Sequence, residues 1–370
     1  MSDLFPGPPE VPGVLSAGQL QQTVAAIAAE QSADGSLPWF RGGQLDAWDS
    51  VEAAMALDVG GEHERAVAAY GWLAARQRPD GSWAAEYRDG AVVAPAVESN
   101  HAGYLAVGVW HSWLCTGDAA LVDRLWPVVR RALDLVTAMQ LPTGAVSWAL
   151  RPDGGPDDTA LLTGNASLYQ ALRAGIALAD LVGEPQPGWD LAAADLGRAL
   201  RERPDVFADR SRYSMDWYYP VLAGALTGQA AEDRLAAGWD TFVVPGLGVR
   251  CVADRPWVTG AETCELALAL AAAGRVDDAT EQLAAMQHLR AEDGAYWTGL
   301  VYADDARWPV ERTTWTAAAV VLAADAIAGT GPAAGLFADP SALDRPARQR
   351  AAAPLIHPAL DPGAERARRR

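Results

Sequence analysis

A short string that returns along the chain limits its fold more than any bulk property does. Gln31-Ser32-Ala33-Asp34-Gly35 comes back as Gln77-Arg78-Pro79-Asp80-Gly81-Ser82-Trp83, and in weaker forms as Gln140-Leu141-Pro142-Thr143-Gly144 and as Gln287 followed by Asp293-Gly294-Ala295-Tyr296-Trp297. Each copy closes an amphipathic stretch and opens a loop of Gly, Pro and Trp. A returning unit of this kind buries its apolar face only against its neighbours.

The helical stretches between the loops alternate between two kinds. Ala17–Gln31, His63–Gln77, Asp118–Gln140, Leu191–Arg203, Ala230–Gly238 and Val276–Leu289 are amphipathic with scattered charge and read as outer helices with one wet face. Asp46–Val59, Glu98–Leu114, Gly164–Val182, Met215–Leu226, Glu262–Ala273 and Glu311–Ile327 open on a polar cluster and continue with small apolar residues on nearly every side. A helix that is apolar all round is buried all round. Six of each kind over about 310 residues, on the order of 50 per hairpin, predict an all-α (α/α)6 toroid with short two-stranded pieces in the loops. Residues 15–330 are expected to form this one domain, with 1–14 a loose arm and 331–370 a Pro, Ala and Arg-rich tail.

Composition removes several classes of function. The 370 residues carry a formal net charge of −18 and no lysine, which excludes a Walker lysine and a pyridoxal Schiff-base lysine. So acidic a chain is not expected to bind nucleic acid, and its only basic run, Arg366, Arg368, Arg369 and Arg370, reads as a solvated tail. The longest apolar stretches, Leu266–Ala273 and Ala317–Ala324, fall short of the roughly 20 residues a bilayer requires, so no membrane span is expected. The N-terminus lacks the basic and apolar regions of a secretory signal, and Cys115, Cys251 and Cys264 show no CxxC spacing. A cytoplasmic protein is expected.

In such a ring the inner helices point one way, so the residues before and at their N-termini form one face. That face collects Asp46, Asp49 and Glu52; Glu98, Asn100 and His101; Asp157, Asp158 and Asn165; Asp216, Trp217 and Tyr218; Glu262 and Glu265; and Asp304, Asp305 and Glu311. Helix capping accounts for any one of them. Caps require no aromatic companions, yet Trp39, Trp83, Trp148, Trp217, Trp257, Trp297 and Trp308 lie in or beside the same loops, against five phenylalanines in the whole chain. Indole over carboxylates suits a sugar ring, whose CH face stacks while its hydroxyls meet the acids. The same groups suit an isoprenoid cation.

The string Thr116-Gly117-Asp118 through Trp126-Pro127 resembles the helix junction of six-hairpin glycosidases. The segment Asp157-Asp158 through Asn165, with Tyr169-Gln170 and Arg173, is similar to the one carrying the general acid in the inverting glucoamylase group, although that group places Trp-Glu where this chain has Pro156-Asp157-Asp158. Thr314-Trp315 and the apolar run to Ala323 resemble that group's last inner helix, whose upstream loop supplies the base. The resemblance implies hydrolysis or remodelling of a glycosidic bond, with Asp157 or Asp158 as acid and Asp304, Asp305 or Glu311 as base. Asp46, Asp49, Glu98, His101, Asp216 and Glu262 would then hold saccharide hydroxyls, and Trp39, Trp83, Trp217 and Trp297 would form stacking walls. No cofactor is implied.

Gln77 to Trp83 is also similar to the Gln–Trp repeats of squalene–hopene cyclases and prenyltransferase β subunits, which keeps an isoprenoid enzyme as the alternative. Asp46-Ala47-Trp48-Asp49 and Asp157-Asp158 are the nearest strings to the cyclase acid cluster, and Cys251, Asp254 and His288 are a conceivable zinc set. That set lacks the local spacing of a metal site, and no metal is expected. A toroid that binds a ligand without turning it over is the third reading.

Overall fold

The computed structural model describes residues 7–344. In chain order its helices are α1 (Ala17–Glu30), α2 (Ala47–Val59), α3 (His63–Arg76), α4 (Ser99–Gly103), α5 (Leu105–Thr116), α6 (Ala119–Ala138), α7 (Leu162–Val182), α8 (Pro187–Glu202), α9 (Ser214–Leu222), α10 (Gln229–Phe242), α11 (Gly260–Ala272), α12 (Val276–Ala285), α13 (Thr314–Ala328) and α14 (Gly335–Ala338). Burial separates them into the two expected kinds. Every residue of α11 from Gly260 to Ala271 is buried, whereas α10 buries only Ala231, Leu235, Gly238 and Phe242. The inner helices pack in sequence, α2 on α5, α5 on α7, α7 on α9, α9 on α11 and α11 on α13, and α13 packs back on α2. Small residues permit the close approach: Val51 and the Tyr70 ring would meet any side chain at Gly108, and Leu168 any at Gly103.

The returning string is the joint between successive outer helices. Gln31 Nε2 donates to the Gly35 carbonyl of its own turn and to the Arg65 carbonyl of α3. Gln77 repeats this toward Gly81 and Val128, and Gln140 toward Gly144 and Ala192. The glycine is required by backbone geometry. At Gly81 φ is +92° and a Cβ would sit 2.2 Å from the Arg131 carbonyl oxygen. The fourth copy departs: Gln287 turns to Leu283, and Arg290 reaches Gln19 and Gln22 of α1 instead. Because α1 is the first outer helix, that contact joins the two ends of the series.

Three expectations are corrected. The loops hold more than two-stranded pieces: β1 (Gln44–Leu45), β2 (Glu86–Arg88) and β3 (Ala91–Ala94) form one antiparallel sheet, and β4 (Val243–Val244), β5 (Gly248–Arg250), β6 (Trp257–Thr259), β7 (Gly299–Val301) and β8 (Ala306–Arg307) form another. The tail is held at its start, since Ala333, Ala334, Leu336 and Phe337 are buried and α14 packs on α11 and α13. The N-terminal arm is anchored by buried Val11, which pairs with Leu15. The basic run at Arg366–Arg370 lies outside the described residues. Among the described residues no helix is long and apolar enough to cross a membrane.

Candidate active site

The N-terminal ends of the inner helices are stitched to one another. The Thr314 amide donates to the Trp39 carbonyl, the Thr298 amide to Glu311, the Ser214 amide to Cys251 and the Ser99 amide to Trp148. Thr163 Oγ1 closes the step from α7 to α9 by donating to Asp216 Oδ1 at 2.6 Å. The acids stand on this end for a reason that is partly local. Asp46 caps α2, its Oδ1 accepting from the Asp49 amide at 2.9 Å, and its charge faces the positive end of the helix dipole.

Capping does not explain the acids beyond Asp46. Asp46, Asp49 and Glu52 recur at intervals of three and so lie along one side of α2. Glu262 and Glu265 repeat the interval on α11, as Glu98 and His101 do at α4. His101 Nε2 lies 3.9 Å from Asp46 Oδ1 and 3.8 Å from Glu98 Oε2. Asp49 is close enough to Asp46, Glu52 and Glu265 to feel each charge, and Glu265 feels both Glu52 and Glu262. Five carboxyl groups from α2 and α11 therefore share one region.

Aromatic side chains hold them. Trp39 Nε1 donates to Asp46 Oδ2 at 3.0 Å, and Trp48 Nε1 to Glu52 Oε1 at 2.8 Å. The Tyr218 hydroxyl donates to Glu265 Oε2. Trp48 packs against Tyr104 and Tyr219, with ring centroids 5.2 Å and 5.7 Å away. So many acids out of bulk water cannot all ionise. Burial, reinforced by Asp46, Glu52 and Glu265, holds the Asp49 carboxyl well above the usual range, and burial with Glu52 and Glu262 does the same to Glu265. Burial pushes Glu52 up to about 7 against the pull of the Trp48 hydrogen bond. Asp49 nevertheless keeps partial contact with solvent. Glu262 borders the Cys251 thiol, and its Oε2 is buried without a hydrogen bond.

The other expected site residues fall elsewhere. Asp158 is 98% exposed at the side chain, 3.9 Å from Arg151. Asp157 accepts from Thr159, and these hydrogen bonds keep its carboxyl below the ordinary range, the reverse of what a general acid needs. Asp304 and Asp305 are exposed in the β7–β8 connection, where Asp305 adopts φ 50°. Glu311 and Trp297 line a cleft beside α1. Trp83 and Trp217 are core residues, 1% and 5% exposed, with their indole N–H groups donating to the Leu73 and Arg234 carbonyls. Neither offers a face to a ligand. Cys251, Asp254 and His288 face separate partners: Glu262, Arg212 and the Leu247 carbonyl. Sequence reasoning missed Trp48, Tyr104 and Tyr219 as supports. It also missed Trp315, whose buried Nε1 has no partner and whose ring meets Trp39 edge-on at 5.6 Å.

No family model matches the chain. An endo-(1,4)-3-O-methyl-α-D-mannosidase from Mycolicibacterium hassiacum is 56% identical to it over 329 residues, 89% of this chain and 91% of that protein. The chain belongs to this mannosidase's family. It is a glycoside hydrolase, and the isoprenoid alternative is not favoured. Solved structures agree in fold. A wild-type glycosidase matches the hydrolase with a TM-score of 0.67 at 18% identity, covering 86% of this chain and 96% of its own. A D-mannose isomerase matches at 0.66 and 10% identity over 83% and 96%. A rhamnosidase from Klebsiella oxytoca matches at 0.60 and 17% identity over 86% and 66%.

Proposed function

We propose that this hydrolase is an (α/α)6 toroid, a single domain over residues 15–330 to which the packed ends at Val11 and α14 also belong, and that it cleaves internal (1,4) bonds between 3-O-methyl-α-D-mannose units. The substrate class is carried over from the M. hassiacum relative. The observation that carries the catalytic reading is the Asp49 carboxyl at the start of α2, in partial contact with solvent, which burial and the neighbouring Asp46, Glu52 and Glu265 hold well above the usual carboxylate range.

In this reading Asp49 donates its proton to the glycosidic oxygen as the bond to the anomeric carbon breaks. Glu262, with one carboxylate oxygen free of hydrogen bonds, takes a proton from the water that forms the new bond. Attack from the face opposite the leaving group inverts the anomeric centre. Asp46 has both oxygens engaged, by the Asp49 amide and the Trp39 indole, and acts by positioning. Glu98, His101 and Asp216 bind hydroxyls, with Trp39 and Trp315 as walls. Unpaired thiols at Cys115, Cys251 and Cys264 support a reducing, cytoplasmic setting.

Incubation with a (1,4)-linked 3-O-methylmannose oligosaccharide tests the substrate. Mass spectrometry of early time points is expected to show shorter oligosaccharides before any single sugar, and NMR the inverted anomer. Release of one sugar at a time from an end, or no cleavage, would overturn the assignment.

A further inference from the structure

The cleft that takes Glu311 and Trp297 away from the carboxylate cluster is a site in its own right. It has a volume of about 660 Å³, within the ~300–1,000 Å³ of ligand pockets. Phe40, Trp297 and Val310 line it together with Ala25 and Ala29 of α1, and the charged side chains of Glu30, Asp293, Glu311 and Arg312 border it as well. Val310 is 79% exposed, an apolar side chain presented to water with no packing reason. Trp297 is half-buried and fixed from one side, since the Arg312 guanidinium lies 5.4 Å from its ring centroid while Arg312 Nη1 pairs with Asp293 at 2.7 Å.

One wall separates this cleft from the carboxylates. Trp39 turns its indole N–H to Asp46, and the next residue, Phe40, lines the cleft. The same wall is tied to α13 by the Thr314 amide on the Trp39 carbonyl and the Thr314 hydroxyl on Pro38. A ligand long enough to cross it reaches both sides. Indole and phenyl rings with the methyl groups of Ala25, Ala29 and Val310, beside the carboxylates of Glu30, Asp293 and Glu311, suit a partly O-methylated sugar, whose CH faces and methyl ethers meet the apolar side chains while its remaining hydroxyls meet the acids.

We propose that the cleft between α1 and residues 293–314 is a second saccharide-binding site, which holds a remote O-methylated segment of the chain being cut. The proposal rests on the saccharide reading above and extends it from the point of cleavage to the length of substrate. It explains why Glu311 and Trp297, placed by their sequence positions among the catalytic groups, stand apart from them.

The test uses full-length protein carrying Asp49→Asn to hold turnover, titrated calorimetrically with a (1,4)-linked 3-O-methylmannose oligosaccharide too short to cross the wall. Two binding events are expected. Val310→Asp and Ala29→Arg, both at exposed positions, should each weaken one event about tenfold or more and leave the other, with the melting temperature unchanged. In the Asp49-containing protein the same two variants should lower kcat/KM for long chains and spare the shortest cleaved oligosaccharide. A single binding event indifferent to both variants, or equal losses on long and short substrates, would overturn the proposal. Cleavage with only one binding event would sink the cleft and keep the hydrolase assignment; binding in the cleft without cleavage would do the reverse.

Discussion

Asp49→Asn is expected to lower kcat by about 10²–10⁴-fold, and Glu262→Gln by a similar factor, because one proton donor and one proton acceptor are each required. Neither change should cost stability. The backbone N–H of residue 49 still donates to Asp46, and an amide side chain carries no charge among Asp46, Glu52 and Glu265 at any pH, so the Asp49→Asn protein should melt at or above the wild-type temperature. A carboxylate acting only as a helix cap gives the opposite signature, about 0.5–2 kcal/mol of stability lost with turnover intact. Asp158→Asn and Glu311→Gln serve as controls. Exposure of the first and the separate cleft of the second place them outside the acid–base pair, so kcat on a short oligosaccharide should stay near wild type. Loss of activity in those controls, with Asp49→Asn active, would return the chemistry to the 157–158 loop.

The second large effect is on stability against pH. Burial pushes Glu52 and Asp325 up to about 7, so in both cases the folded protein binds a proton that the unfolded chain, with ordinary carboxyls near 4, has already released. Between roughly pH 4 and pH 7 the native state holds more protons, and stability falls as pH rises through that window. For Glu52 the difference corresponds to at most about 3 kcal/mol. Thermal melts are expected to show a higher Tm at pH 5 than at pH 8. Glu52→Gln keeps an acceptor for the Trp48 indole and has no charge to desolvate, so it should flatten that slope and raise Tm at pH 8. A wild-type Tm that climbs from pH 5 to pH 8 would contradict this account of the cluster.

Much of the architecture was legible because two independent periods agree. The Gln to Gly string marks where each outer helix ends, and it does so through hydrogen bonds to the next outer helix, which is why Gln31, Gln77 and Gln140 recur while Gln287, at the joint with α1, drifts. The alternation of wet and dry helices gave their roles. What the residues hid was the size of the sheets, since β4, β8 and β1 are two residues long and carry no alternation to read.

The carboxylate cluster was legible where helix geometry does the placing. Asp46 caps α2, Asp49 and Glu262 stand on regular helices, and the interval of three that adds Glu52 and Glu265 is visible in the sequence. Loops defeated the reading. Asp157, Asp158, Asp304 and Asp305 precede inner helices in the chain, but a loop residue has no fixed direction, and these face solvent or their own turn. Trp83 and Trp217 show the same limit: a loop or helix-start indole whose N–H meets a backbone carbonyl is core, and only the fold supplies that carbonyl.

The most direct measurement is a crystal structure of the Asp49→Asn protein with a (1,4)-linked 3-O-methylmannose oligosaccharide. The glycosidic oxygen is expected within hydrogen-bond reach of residue 49, with a water on Glu262 at the far side of the anomeric carbon. A saccharide whose glycosidic bond lies over Asp157 and Asp158, with residue 49 and Glu262 untouched, would contradict the assignment of the acid and the base.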